Sequence, residues 1–159
     1  MFRVSEERLF VRALMPGDAP LMRELLSLFG RAFDDSETYS AHQPDDRYLE
    51  KLLVSETFMA IAAIAETKVV GGLAGYVLPK FEQARSEFYI YDLAVDEPHR
   101  RKGVATAMIQ TLQEIAASRG IDVIFVQADL HDKGAIALYT RLGIREDVLH
   151  FDIAPGKWS

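Results

Sequence analysis

The chain contains no cysteine. That excludes disulfides, a thiolate nucleophile and a cysteine metal site. Histidine is scarce: His42, His99, His131 and His150 stand apart with no HExxH-type spacing, so no metal is expected. A basic face is also missing, because 18 Lys and Arg stand against 24 Asp and Glu, for a net charge of −6. Nucleic acid is therefore not an expected partner, since phosphate backbones demand a surplus of cations. No run approaches the ~20 apolar residues that span a bilayer. The start, Met1 to Arg8, lacks the apolar stretch of a signal peptide. A cytoplasmic protein with no membrane partner is the expectation.

What is present suits one globular domain over 1–159: 49% of the residues are hydrophobic and 26% charged. Arg8 to Leu14 reads as a strand. Pro16-Gly17-Asp18 reads as a turn, with Asp18 the candidate cap of a helix carrying Leu21, Leu25, Leu28, Phe29 and Phe33. Residues 34–46 are polar and irregular, and Asp45 caps a second helix carrying Tyr48, Leu49, Leu52 and Leu53. Strands follow at Phe58 to Ala65, Val69 to Leu78 and Glu87 to Val95, the first two joined by a hairpin turn at Glu66-Thr67-Lys68. A helix to Arg119 closes at Gly120, Ile121 to Ala128 is a buried strand, a short helix covers Ala135 to Leu142, and Ile144 to Ile153 is a last strand. The order βααβββαβαβ predicts an α+β fold, an α/β mixed and mostly antiparallel sheet flanked by helices, with one βαβ unit. Gly71, Gly72 and Gly75 weaken their strand, so they mark a bulge or a close backbone approach.

The most informative stretch is Arg100-Arg101-Lys102-Gly103-Val104-Ala105-Thr106, between an apolar strand and a helix. The first amides of a helix lack internal partners and carry the positive end of its dipole, so they receive phosphate well. Gly103, with no Cβ, allows close approach. A phosphorylated ligand is implied. Asp92 interrupts the apolar strand 88–95. A buried carboxylate without a partner costs several kcal/mol. It either serves a site or pairs structurally with an arginine or a backbone amide.

Two motifs carry a family resemblance. Arg100-x-x-Gly103-x-Ala105 resembles the (Gln/Arg)-x-x-Gly-x-(Gly/Ala) motif of the GNAT acetyltransferases. Asp132 to Ile144 resembles that family's Asn-x-x-Ala-x-x-(Leu/Phe)-Tyr-x-x-x-Gly-Phe stretch, with Asp132 for Asn and Ile144 for Phe. Further segments are similar to the GNAT-type aminoglycoside 3-N-acetyltransferases of gentamicin-acetylating type: Tyr39 to Asp45, Tyr76 to Gln83, Ser86 to Val95 and Leu142 to Ile153.

The resemblance implies acetyl-CoA as cosubstrate and a GNAT-like acyltransferase fold. It implies that the CoA pyrophosphate sits on the loop Arg100, Arg101, Lys102, Gly103, Val104, Ala105 and Thr106, and the pantetheine arm beside Leu93, Ala94 and Val95. That strand must then splay from the one at Ile121 to Ala128. Asp132, Ala135 and Tyr139 belong to the cofactor motif, and Tyr139 is also the general acid for the departing thiolate, or else a core tyrosine. Asp92, just before the pantetheine-binding residues, is then implied to anchor an incoming ammonium or to take its proton directly or through water, with Glu87 a weaker base candidate; Asp92 and Tyr139 are the catalytic candidates. A polycationic aminoglycoside calls for converging carboxylates: Asp92, Glu146, Asp147 and Asp152, with Asp34, Asp35, Asp45 and Asp46 as further candidates. Tyr91 and Tyr89 could stack on a sugar ring or a cation. The implied activity is acetylation of the 3-amino group of 2-deoxystreptamine aminoglycosides, which confers antibiotic resistance. The alternatives are a polyamine or other small-amine N-acetyltransferase and a non-catalytic CoA-binding regulatory module. A homodimer is expected by analogy.

Overall fold

Small apolar residues in Phe58–Ala65 and Lys68–Pro79 let two long strands pair tightly. They form the middle of a five-stranded sheet in the computed structural model, which describes residues 8–157. The start of the chain, Met1 to Glu7, lies outside the described residues. The elements run β1 (Leu9–Ala13), α1 (Ala19–Ala32), a π-helical turn (Glu37–Ala41), α2 (Asp46–Val54), β2 (Phe58–Ala65), β3 (Lys68–Pro79), β4 (Ser86–Val95), a 3-10 turn (Glu97–His99), α3 (Val104–Ser118), β5 (Ile121–Val126) and α4 (Lys133–Leu142). The sheet order is β1-β2-β3-β4-β5, antiparallel except for the parallel β4–β5 pair. Mostly antiparallel pairing and one βαβ crossover match the sequence pattern. Two compact units are present, one ending at Gln127 and one beginning at Ala128.

In the first unit, Leu25, Leu28, Phe29 and Leu49 of α1 and α2 pack on one sheet face with Ala60 and Ala62. Met108 and Leu112 of α3 are fully buried, and Met108 lies against Gly71. Each such side chain contributes about 1.5–3 kcal/mol by leaving water.

The caps divide. Asp45 accepts from the Tyr48 amide at 2.9 Å, as its position predicts. Gly120, at φ 69°, ends α3 in the left-handed conformation that favours glycine. Asp18 stands at the start of α1 but makes no capping bond. Its carboxylate accepts from Arg12 and from the Met15 amide, both at 2.7 Å. That pairing holds the Asp18 carboxyl below its ordinary range. Glu50 of α2 takes over, accepting from the Gly17 and Ala19 amides. A cap supplied from another helix leaves no local signature.

In the second unit, the last strand expected at Ile144 to Ile153 does not form. Those residues join no ladder among the described residues. Their side chains pair locally, Arg145 with Asp147 and His150 with Asp152. Strand-like composition is a local property, whereas a strand needs a partner.

Candidate active site

The β3–β4 register carries a β-bulge. Ala74 faces Asp92 and Gly75 faces Ile90, so Tyr91 is the extra residue. Gly75 makes this possible: a Cβ there would lie 2.1 Å from the Tyr89 carbonyl and 2.7 Å from the Phe88 ring. A regular strand would send Tyr91 and Asp92 to opposite faces. The bulge instead brings both to one cavity, as bulges beside active sites do.

That cavity, of about 210 Å³, lies among α1, α2 and the strands β2 to β4. Leu25, Phe29, Tyr48 and Tyr76 line it, and Asp92 is its one charged lining residue among the described residues. An aromatic row crosses the sheet beside it: Phe58–Tyr76, Tyr76–Tyr91 and Tyr89–Tyr91 at 5.7, 5.9 and 5.7 Å, ending in Tyr89 stacked on Phe125 at 4.8 Å. Burial raises the Asp92 carboxyl above the ordinary carboxylate range, and a hydrogen bond from the Tyr39 hydroxyl, at 2.8 Å, pulls it part of the way back. Burial and the Asp92 carboxylate push the Tyr39 phenol upward, so it stays a donor.

Pairing between β4 and β5 stops at Ile90–Val126. Leu93, Ala94 and Val95 therefore have no β5 partner, which is the splay that the resemblance demands. After β4 the chain curls through Arg101 (φ 62°) and Gly103 (φ 80°) into α3. The left-handed φ of Gly103 is the visible reason for glycine there, since nothing lies within 4 Å of an added Cβ. Arg100 donates from Nε to the Val95 carbonyl at 2.9 Å, tying the loop to the strand end. The start of α3 has no side-chain cap and no acidic residue in its first turn. The uncapped amides of Val104, Ala105 and Thr106, with Arg101 and Lys102 beside them in sequence, fit a pyrophosphate.

In the second unit, Asp132 caps α4 by accepting from the Ala135 amide at 3.0 Å. Tyr139 lies on the same helix; burial, and then the Asp132 charge, push its phenol up to about 12. Glu146, Asp147 and Asp152 lie beyond α4, where Asp147 meets Arg145 at 2.8 Å and Asp152 meets His150 at 2.9 Å. Among the further acidic candidates in the first unit, Asp45 is a cap, Asp46 pairs with Arg23, and Asp35 accepts from the Thr38 amide. Glu87 lies between Lys80 and Arg85, at 3.7 and 3.6 Å. Tyr39, Tyr76, Tyr89 and Tyr91 all lie in segments that carry the family resemblance, but only the glycine at 75 signalled the bulge and nothing signalled the contact of Tyr39 with Asp92.

A second hollow, about 240 Å³, is lined by Arg23, Arg31 and Lys68. Its cations already face carboxylates, Arg23 at Asp46 and the other two at Asp96. Among the described residues no cluster of His, Asp or Glu is arranged to hold a metal, and no helix is long and apolar enough to cross a membrane.

The profile of the Acetyltransferase (GNAT) family matches residues 22–144. The chain belongs to the GNAT acetyltransferase family. Its five-strand mixed sheet with flanking helices is the GNAT fold, and GNAT acetyltransferases use acetyl-CoA. Among solved structures, an aminoglycoside acetyltransferase from an uncultured soil metagenomic sample is 54% identical, with a TM-score of 0.92 over 94% of this chain and 99% of that one. A second soil metagenomic aminoglycoside acetyltransferase, in complex with sisomicin, is 33% identical, with a TM-score of 0.85 over 93% and 97% of the two chains. The [ribosomal protein bS18]-alanine N-acetyltransferase of Escherichia coli K12 is 26% identical over 78% of this GNAT chain and 73% of its own. The match to the mouse probable N-acetyltransferase family 8 member 5 is 26% identical over 57% of this chain and spans 40% of that protein. The corresponding shares are 56% for rat N-acetyltransferase 8B and 37% for human N-acetyltransferase 8, so the match spans about half the length of these relatives or less.

Proposed function

We propose that this GNAT protein acetylates the 3-amino group of 2-deoxystreptamine aminoglycosides and thereby confers resistance to them. The observation that carries the reading is Asp92, a single carboxylate in an aromatic cavity, beside the open edge of β4. A cationic amine is drawn to such a site by charge and by the faces of Tyr76 and Tyr91. The neighbours described as aminoglycoside acetyltransferases, at 54% and 33% identity, support the substrate class. The family match runs across the boundary between the two units, which supports reading 1–159 as one catalytic domain.

When bound, acetyl-CoA supplies an activated acetyl thioester. The chain's part is to hold, orient and move protons. The loop from Arg100 to Thr106 holds the pyrophosphate, and the unpaired edge at Leu93, Ala94 and Val95 aligns the pantetheine amides as an added strand would. A backbone N–H at Ala94 or Val95 is the donor for an oxyanion. Asp92 anchors the ammonium and takes its proton, which frees the amine lone pair. Its raised pKa makes it a stronger base than an exposed carboxylate. Tyr139, on the helix that Asp132 and Ala135 begin, holds its proton at neutral pH and supplies it to the departing sulfur. Glu146, Asp147 and Asp152 serve the remaining drug cations. Acetylation deletes a positive charge and a donor, which weakens the drug's hold on RNA phosphates.

Product NMR after incubation with gentamicin and acetyl-CoA tests the regiochemistry. A single acetyl group on the 3-amine is expected. Acetylation at another amine, or turnover of polyamines alone, overturns the reading. Tyr139→Phe is expected to lower kcat about 10²-fold with KM for acetyl-CoA unchanged. An unchanged kcat would assign Tyr139 to packing.

A further inference from the structure

We infer that Tyr39, on the π-helical turn between α1 and α2, is a positioning residue for Asp92: its hydroxyl fixes and tunes the carboxylate that handles the amine. The inference rests on the amine-acetylation reading and deepens it. Residues 34–46 carry no periodic pattern, yet the fold fixes the Tyr39 ring tightly. It packs edge-on against Phe29 at 5.9 Å and against Phe33 at 5.6 Å. The backbone is held as well. The Tyr39 amide donates to the Asp35 carbonyl, and its own carbonyl accepts from Gln43 Nε2 at 3.3 Å. That same Gln43 amide reaches the Arg23 carbonyl and Ser27 of α1. Gly30 lets the turn approach α1, since a Cβ there would lie 2.6 Å from the Ser40 hydroxyl.

The Tyr39–Asp92 contact joins residues 53 positions apart and fixes one carboxylate oxygen. A hydrogen bond donated to a carboxylate favours its charged form. Burial does the reverse, and both act on Asp92. Among the described residues, the other titratable groups near it are phenols: Tyr76 of β3 and Tyr89 and Tyr91 of β4, with Tyr48 of α2 lining the same cavity, while Asp35 acts on Tyr39. The α1 residues lining the cavity are apolar, and no lysine or arginine lines it among the described residues. Tyr39 is thus the donor that offsets the burial of Asp92.

Tyr39→Phe keeps the ring and deletes the hydroxyl. Carbon-13 NMR of Asp-labelled protein reads the carboxyl directly in the absence of substrate, with the Asp92 signal assigned by its loss in Asp92→Asn. The Asp92 midpoint is expected to rise by about one pH unit in Tyr39→Phe. The acid limb of kcat/KM should move up with it, while KM for acetyl-CoA stays put. Replacing Tyr39 by 3-fluorotyrosine, a stronger donor of nearly the same shape, should move the midpoint down and covers the case in which Tyr39→Phe fails to fold. An unmoved midpoint in both proteins overturns the inference. A midpoint that moves while the acid limb does not overturns the positioning role and leaves a structural hydrogen bond. Failure of the amine-acetylation reading is scored separately, as absence of turnover with any amine in the wild-type protein.

Discussion

Asp92→Asn is expected to lower kcat/KM for an aminoglycoside by about 10²–10⁴-fold, the usual worth of a positioned proton acceptor. The asparagine has the size of the aspartate, and its Oδ1 still accepts from Tyr39, so the cavity keeps its shape. What disappears is the negative charge that attracts an ammonium and the basic oxygen that relieves it of a proton. Binding of acetyl-CoA, which we propose to lie on the α3 loop and the edge of β4, should be unaffected. Stability should not fall. Asp92 has a folded pKa above its unfolded value, so ionising it in the fold is unfavourable. That penalty grows as pH rises from the unfolded value through the folded one and is complete above both. A neutral asparagine escapes it, so at pH 8 the variant should melt no lower than the wild type. Steady-state kinetics and thermal melts check the two halves. A wild-type rate would remove Asp92 from the chemistry, and a large drop in Tm would make it a structural residue.

Gly75→Ala is expected to produce the largest loss of stability of any single added methyl on β3. Its Cβ would fall 2.1 Å from the Tyr89 carbonyl and 2.7 and 2.8 Å from two atoms of the fully buried Phe88 ring. A backbone oxygen cannot rotate away, and a ring with no exposed surface has nowhere to go. Either β4 moves off β3 or the bulge is lost. Overpacking of this kind costs about 1–3 kcal/mol or more, which lowers Tm by roughly 3–12 °C in a domain of this size. Because the displaced backbone leads directly into Tyr91 and Asp92, the folded fraction should also lose activity, which separates this variant from a remote destabilising one. A Tm within about 2 °C of wild type would show that the site needs no bare glycine.

Much of the site is legible in the residues one at a time. Asp92 stands out because a carboxylate in an apolar strand must have a reason. The loop from Arg100 to Thr106 stands out because cations, a glycine and a helix start together are what an anion site needs. Asp45 and Gly120 announce a cap and a stop by local chemistry alone. The rest depends on contacts between distant segments. Glu50 closes α1 from another helix. Tyr39 comes from a stretch without periodicity. The extra residue at Tyr91 reverses the strand's alternation, and Gly75 hints at it without saying which neighbour approaches. The run 144–153 has a strand's composition but joins no ladder.

The sequence by itself determined the element order as far as α4, the basic loop before α3 and the presence of a carboxylate in β4, because propensity, capping and charge act over a few residues. Tertiary structure alone decided that β4 parts from β5 after Ile90, that Tyr91 and Asp92 share a cavity, and that Tyr39 meets Asp92. Register, bulges and hydrogen bonds across 53 positions are set by what packs against what, and no local pattern encodes them.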